Sequence, residues 1–285
     1  MTAFDPAGLG TSSDPPTATV RSTETSDGVA VSDLSFAGAG FDPTDAYLVR
    51  PAQATSAQAT SAPGIIWFHW LEHGSPTSNR TEFLDEARAL AGDGLVSLLV
   101  QGTLPWTQSP TSIAADGPAI EREVRMARGG VDLLAARADF DADRLAAVGH
   151  DFGGMYLSLL FAADPRLRAL AVMAPTARWG DWFLRYWKIA DPPDAYLAAT
   201  ERLDPVASLP AAAGRPLLLQ FADHDEYVPA EVAADVIAAA GPSAATRRYD
   251  AGHDLDVDGA RADRRTWLLD VLGLEPRAGT SRPSA

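Results

Sequence analysis

The run Leu145-Ala146-Ala147-Val148-Gly149-His150-Asp151-Phe152-Gly153-Gly154-Met155 decides how this chain is read. Apolar and small residues lead up to Gly149, a polar pair follows, and two glycines open a second apolar stretch. That pattern is a buried strand, a tight Gly-x-Asp-x-Gly turn and then a helix. A strained strand-to-helix turn of this kind lifts one side chain above a sheet. Its flanking glycines are required because a Cβ at either place would meet a neighbouring strand or helix. The lifted residue here is Asp151, and the N–H groups at the helix start can stabilise negative charge beside it.

Outward from this turn the chain alternates strand and helix signals. Residues 29–36 and 45–49 read as edge strands. Residues 64–70 (Gly-Ile-Ile-Trp-Phe-His-Trp), 94–100, 144–149, 167–173, 215–221 and 246–249 read as further strands. Helices are expected over 81–91, 120–134, 153–163, 230–240 and 260–272. In the second of these, Ile120, Val124, Ala127, Val131 and Leu134 form one apolar face. The expectation is an α/β fold in one domain over 28–275, with a mostly parallel eight-stranded sheet and helices on both faces. Residues 1–27 and 276–285 read as loose polar tails, and 52–63 as a polar linker.

Composition narrows the function classes. The chain has 285 residues, 46% of them hydrophobic, and 38 acids against 23 bases give a formal charge of -15. So acidic a surface argues against nucleic acid and anionic membranes as partners. Cysteine is absent, which removes disulfides, Cys-ligated zinc and thiol nucleophiles together. The start carries neither a basic stretch nor an apolar run, and the apolar runs elsewhere are too short to span a bilayer. A cytoplasmic chain acting on a small molecule is expected, with a homodimer left open. His69 and His73 stand four apart around Glu72, but on a strand end and loop rather than a helix, so no metal is expected. No phosphate-loop or dinucleotide spacing is present, and no cofactor is expected.

Two later loops complete a constellation with the turn. Phe221-Ala222-Asp223-His224-Asp225-Glu226-Tyr227-Val228-Pro229 follows one strand, and Tyr249-Asp250-Ala251-Gly252-His253-Asp254 follows the last. A lifted nucleophile, then an acid, then a histidine is the chain order of the elbow-type triad.

From about residue 29 to 275 the chain resembles proteins of the α/β-hydrolase fold. Its Gly149-His150-Asp151-Phe152-Gly153-Gly154 is similar to the Asp-type elbow of epoxide hydrolases and haloalkane dehalogenases. The resemblance implies Asp151 as nucleophile and His253 as base. The family's acid loop ends in Asp-x-x-Val-Pro or a close variant, which implies Asp225 as the acid, with Asp223 in reserve. The implied oxyanion donors are the N–H of Phe152 and that of Trp70 or Leu71, where relatives often read His-Gly-x. His150 is expected to pack and hydrogen-bond rather than to act as a base.

A carboxylate attacking an acyl carbon gives a mixed anhydride, whereas attack on an sp3 carbon or an epoxide gives an ordinary alkyl ester. His253-activated water would then cleave that ester. Phe152 has no side-chain donor for a halide, so the main expectation is opening of an epoxide on a small apolar or aromatic substrate. The insert over 176–212 is the expected short helical lid, and it carries Trp179, Trp182, Tyr186, Trp187 and Tyr196. With Trp106 and Tyr227 these are the candidate substrate contacts, and Tyr186, Tyr196, Tyr156 and Tyr227 the candidate proton donors. The lid is short and in that respect similar to dienelactone-hydrolase-like proteins, which normally lift Cys or Ser. An ester or lactone hydrolase is therefore the first alternative. A non-hydrolytic cyclase or lyase and a ligand-binding pseudo-hydrolase are the others.

Overall fold

The computed structural model describes residues 16–38, 40–52, 61–70, 79–102 and 112–275. Nine strands form one sheet: β1 Thr17–Ser26, β2 Val29–Gly38, β3 Phe41–Pro51, β4 Ala62–Phe68, β5 Val96–Val100, β6 Phe140–His150, β7 Leu167–Met173, β8 Leu217–Ala222 and β9 Ala245–Tyr249. Their order is β1-β2-β3-β5-β4-β6-β7-β8-β9. The pairs from β5/β4 to β8/β9 are parallel, and β1/β2, β2/β3 and β3/β5 are antiparallel. This is the expected α/β-hydrolase sheet with one strand added at its first edge.

The added strand corrects two expectations. Residues 17–26 are not tail but β1, a hairpin partner of β2 through the Asp27–Gly28 turn, where both residues have positive φ. β2 and β3 are consequently interior strands rather than edges. Every residue of β1 is exposed, so it offers no buried apolar face for a sequence pattern to register. The 1–15 and 276–285 tails and most of the 52–63 linker lie outside the described residues.

Eight helices accompany the sheet: α1 Leu84–Gly92, α2 Ile113–Ala135, α3 Phe152–Ala163, α4 Trp179–Tyr186, α5 Pro193–Thr200, α6 Pro205–Ser208, α7 Ala230–Ala240 and α8 Asp258–Val271. Successive side chains of a strand face opposite ways, and β4 serves two helix layers by that rule. Ile66 lies under Gly130 of α2, while Trp67 stacks near Phe83 at the start of α1, ring centroids 4.9 Å apart. α2 and α3 pack on each other, and α1 packs on α8. β4 to β8 are buried almost throughout, so their sequences read as apolar runs rather than alternations. The 176–212 insert is helical as expected: α4, α5, α6 and two short 3-10 turns connect β7 to β8.

Candidate active site

Asp151 sits between β6 and α3 with φ 55° and ψ -121°, a conformation unfavourable for a residue with a Cβ. The neighbours hold it there. Its N–H donates to the Met173 carbonyl at 2.9 Å, which ties the turn to β7. A Cβ at Gly153 would lie 2.0 Å from the Phe68 carbonyl oxygen, and one at Gly149 2.6 Å from the backbone of Gly154. Strand and helix can approach this closely only because both positions are glycine. Asp151 itself is 5% exposed.

The acid and histidine loops arrive from β8 and β9. Asp223 N–H donates to the Tyr249 carbonyl and His224 N–H to the Ala251 carbonyl, so the two loops are fastened side by side. His253 Nδ1 lies 2.9 and 3.0 Å from the two carboxylate oxygens of Asp225, and its Nε2 faces Asp151 Oδ2 at 3.6 Å. Asp225 Oδ1 also accepts the N–H groups of Tyr227 and Val228, at 2.8 and 2.9 Å. Asp223 instead pairs with Arg248 at 2.8 Å near the surface. Asp225, not Asp223, therefore faces the histidine.

Burial alone would lower the His253 pKa, but carboxylates at both of its ring nitrogens raise it to about 10. Both carboxylates favour the protonated form of the imidazole. Burial pushes the Asp151 carboxyl above its ordinary value, with His253 pulling the other way. Burial would raise Asp225 too, but His253 and the two N–H donors hold it below the ordinary range. Asp151 Oδ1 is buried and accepts no hydrogen bond from the described residues.

The oxyanion donors come out differently from the sequence reading. Phe152 opens α3, with its N–H at the positive end of that helix. Trp70 N–H is spent on Glu82 Oε2 at 3.0 Å, which removes it as a donor to substrate. Leu71 lies outside the described residues. Sequence reading missed Glu82, whose second oxygen meets His150 Nδ1. His150 Nε2 in turn meets the His253 backbone carbonyl at 2.9 Å. Burial pushes the Glu82 carboxyl up, but His150 and the Trp70 N–H outweigh it and bring it below its ordinary value. His150 has the packing and hydrogen-bonding role expected of it.

Aromatic rings roof the elbow. The Phe152 ring has the rings of Trp179, Trp182, Phe183 and Trp187 around it at centroid distances of 4.7 to 6.0 Å. Trp187 stacks on Tyr227, and Tyr227 meets His253 edge-on at 5.0 Å. The Tyr186 hydroxyl donates to the Glu226 carbonyl, joining the lid to the acid loop. Tyr196 does not serve the site. Its hydroxyl donates to buried Asp116, which also binds Lys188 at 2.5 Å. Tyr156 is fully buried against Phe68 and Trp179, and its hydroxyl has no partner among the described residues. Trp106 and His73 lie outside the described residues. Both His69 nitrogens meet backbone groups, Trp70 O and Gly102 N, and among the described residues no cluster could hold a metal ion. No described helix is long and apolar enough to cross a membrane.

No family model and no curated protein matches the sequence. The fold does match solved structures. Acetyl xylan esterase from Paenibacillus sp. R4 superposes with a TM-score of 0.72 at 16% identity, over 93% of this chain and 92% of that one. Acetyl xylan esterase 1 from Thermoanaerobacterium gives 0.68 at 16% identity, over 91% and 89%. S-formylglutathione hydrolase from Agrobacterium tumefaciens gives 0.65 at 16% identity, over 89% and 99%. The chain has the α/β-hydrolase fold over nearly its whole length.

Proposed function

We propose that this chain hydrolyses small carboxylic esters or lactones, with Asp151, His253 and Asp225 carrying the chemistry. The observation that carries the reading is His253 held between two carboxylates above the elbow, one at each ring nitrogen. The esterases and the thioester-type hydrolase on which the chain superposes favour an acyl substrate over an epoxide.

On this reading His253, held toward its protonated form by a carboxylate at each ring nitrogen, serves as the acid. Asp151, made more basic by burial, is the acceptor. Asp151 takes a proton from a water molecule as the water oxygen bonds to the acyl carbon. Negative charge on the carbonyl oxygen falls toward the Phe152 N–H. The bond to the leaving oxygen then breaks, and that oxygen takes the Nε2 proton of His253. The proton on Asp151 passes to His253, which restores the site. Ester and water become acid and alcohol, and Asp225 keeps the ring oriented through Nδ1. The aromatic roof suits an apolar or aromatic group on the substrate.

A second reading rests on Asp151 Oδ1, which accepts no hydrogen bond from the described residues. On an epoxide or another sp3 carbon this oxygen forms an alkyl ester. Esterification removes one of the two charges that hold the proton on His253, so the imidazole becomes able to activate water. Single turnover in heavy-oxygen water separates the routes. With 4-nitrophenyl acetate the label enters acetate and not Asp151, whereas covalent opening of styrene oxide labels Asp151. Full turnover of both by Asp151→Asn overturns both readings.

A further inference from the structure

We infer that Glu82 and His150 form a positioning pair that fastens three parts of the site, the end of β4, the elbow and the histidine loop, in one register. The inference rests on the proposed role of His253 and adds to it. Glu82 precedes α1, far from the triad in sequence, yet its carboxylate accepts the Trp70 N–H and meets His150 Nδ1. His150 is the residue immediately before Asp151, and its Nε2 meets the carbonyl oxygen of His253 itself. The Trp70 ring closes the assembly. It lies at 8° to the His150 ring at 5.3 Å and also stacks on His253 at 6.0 Å.

The hydrogen-bond arithmetic is restrictive. The carbonyl of His253 only accepts, so His150 Nε2 carries a hydrogen and donates it. The other nitrogen faces a carboxylate oxygen, so one further proton must lie between His150 Nδ1 and Glu82 Oε1. Both nitrogens of His150 and both carboxylate oxygens of Glu82 thus have a partner within the protein. Glu82 and His150 act through His253, Asp151 and Trp70, and they are not catalytic residues.

A glutamine at 82 can reproduce every one of these bonds. Its carbonyl accepts the Trp70 N–H, its amide donates to His150 Nδ1, and the ring still donates from Nε2 to His253. Leucine has similar bulk and can make none of them, and it leaves the Trp70 N–H and His150 Nδ1 without partners. If register is what matters, Glu82→Leu lowers kcat on 4-nitrophenyl acetate about 10- to 100-fold with KM little changed, because small displacements of reacting groups cost rate rather than binding. Glu82→Gln recovers most of that loss. His150→Gln keeps the bond to His253 but loses Glu82, and it gives an intermediate kcat should the leucine variant fail to fold.

A readout independent of substrate is the far-downfield N–H proton between His253 and Asp225 in proton NMR, identified by its loss in Asp225→Asn. It broadens or disappears in Glu82→Leu and stays in Glu82→Gln. A leucine variant with wild-type kcat and an unchanged downfield proton overturns the inference. Turnover by Asp151→Asn instead overturns the functional reading beneath it, so the two failures are distinct.

Discussion

Nε2 of His253 stands 3.6 Å from Oδ2 of Asp151, an ion-pair contact longer than a hydrogen bond. The two side chains face each other across a gap rather than locking together. A reacting atom bound there can be protonated by one and deprotonated by the other. Asp151→Asn keeps the shape of the elbow and removes the charge, so kcat/KM on a reactive ester falls by more than about a thousandfold. Steady-state kinetics with circular dichroism to verify folding measure this directly.

The pH dependence of kcat/KM has a defined form. Ionised Asp151 and protonated His253 are both required, so activity rises above the ordinary carboxylate range, because burial has raised Asp151. It stays level through neutrality and falls as pH passes about 10, where His253 loses its proton. Asp225→Asn removes one of the two charges that hold this proton and moves the alkaline limb to lower pH. Stability follows the same group. A histidine whose folded pKa is raised contributes fully below its unfolded value of about 6.5, and that contribution is lost as pH rises through about 10. A wild-type alkaline limb near 6.5 would contradict the assignment.

Asp204 gives a second lever of the same sign, in the lid and over a lower pH window. Burial, with Asp181 and Glu201 nearby, outweighs the Trp179 N–H and Arg178 and raises its carboxyl to about 7. The folded chain then binds a proton that the unfolded chain releases, so stability falls as pH rises from about 4 to about 7. Asp204→Asn keeps an acceptor for Trp179 and removes the buried charge. Urea unfolding near pH 8 shows a gain on the order of 1–3 kcal/mol, which shrinks near pH 4.

Lys188, the one lysine in the chain, is buried with Asp116 and Tyr196 between the lid and α2. Removing the lysine takes away the ammonium that Asp116 faces at 2.5 Å and leaves a buried carboxylate without it. Lys188→Met costs about 3–5 kcal/mol in denaturant unfolding, and adding Asp116→Leu restores most of it.

Glycine substitutions separate the elbow from ordinary loops. Gly153→Ala would drive a Cβ into backbone at Phe68, and it destabilises by more than about 3 kcal/mol or prevents soluble expression. At Gly252 the nearest atom to an added Cβ is Asp254 Oδ1 at 3.7 Å, an ordinary contact. Gly252→Ala stays within about 0.5 kcal/mol of wild type in the same assay.

The elbow was legible because its geometry leaves glycine little competition at 149, 153 and 154. The apolar runs around it could only be strands buried on both faces. The place of Asp225 was legible through Val228-Pro229, whose loop geometry aims the backbone N–H groups of 227 and 228 at it. β1 was not legible, since its ten residues bury nothing and a polar Thr/Ser/Glu run resembles a tail. The work of Glu82 and Asp116 was hidden for another reason. Each meets partners some 70 or more residues away, or across the sheet, and no local period records such pairings. The bond that occupies the Trp70 N–H was not legible either, because Glu82 reaches it from a different part of the chain.

The lid departs from the end of β7 and returns at the start of β8, two strands paired side by side with Leu170 opposite Leu217. Because the two strands are parallel, the lid leaves at the far end of β7 and returns three residues back along it, while Asp151, His253 and Asp225 all lie outside it. Selection or engineering can exchange this insert as one cassette, changing what covers the elbow while Asp151, His253 and Asp225 keep their places. Only the joints limit the exchange: a new insert must still cover Phe152 and offer Glu226 a donor where Tyr186 now does.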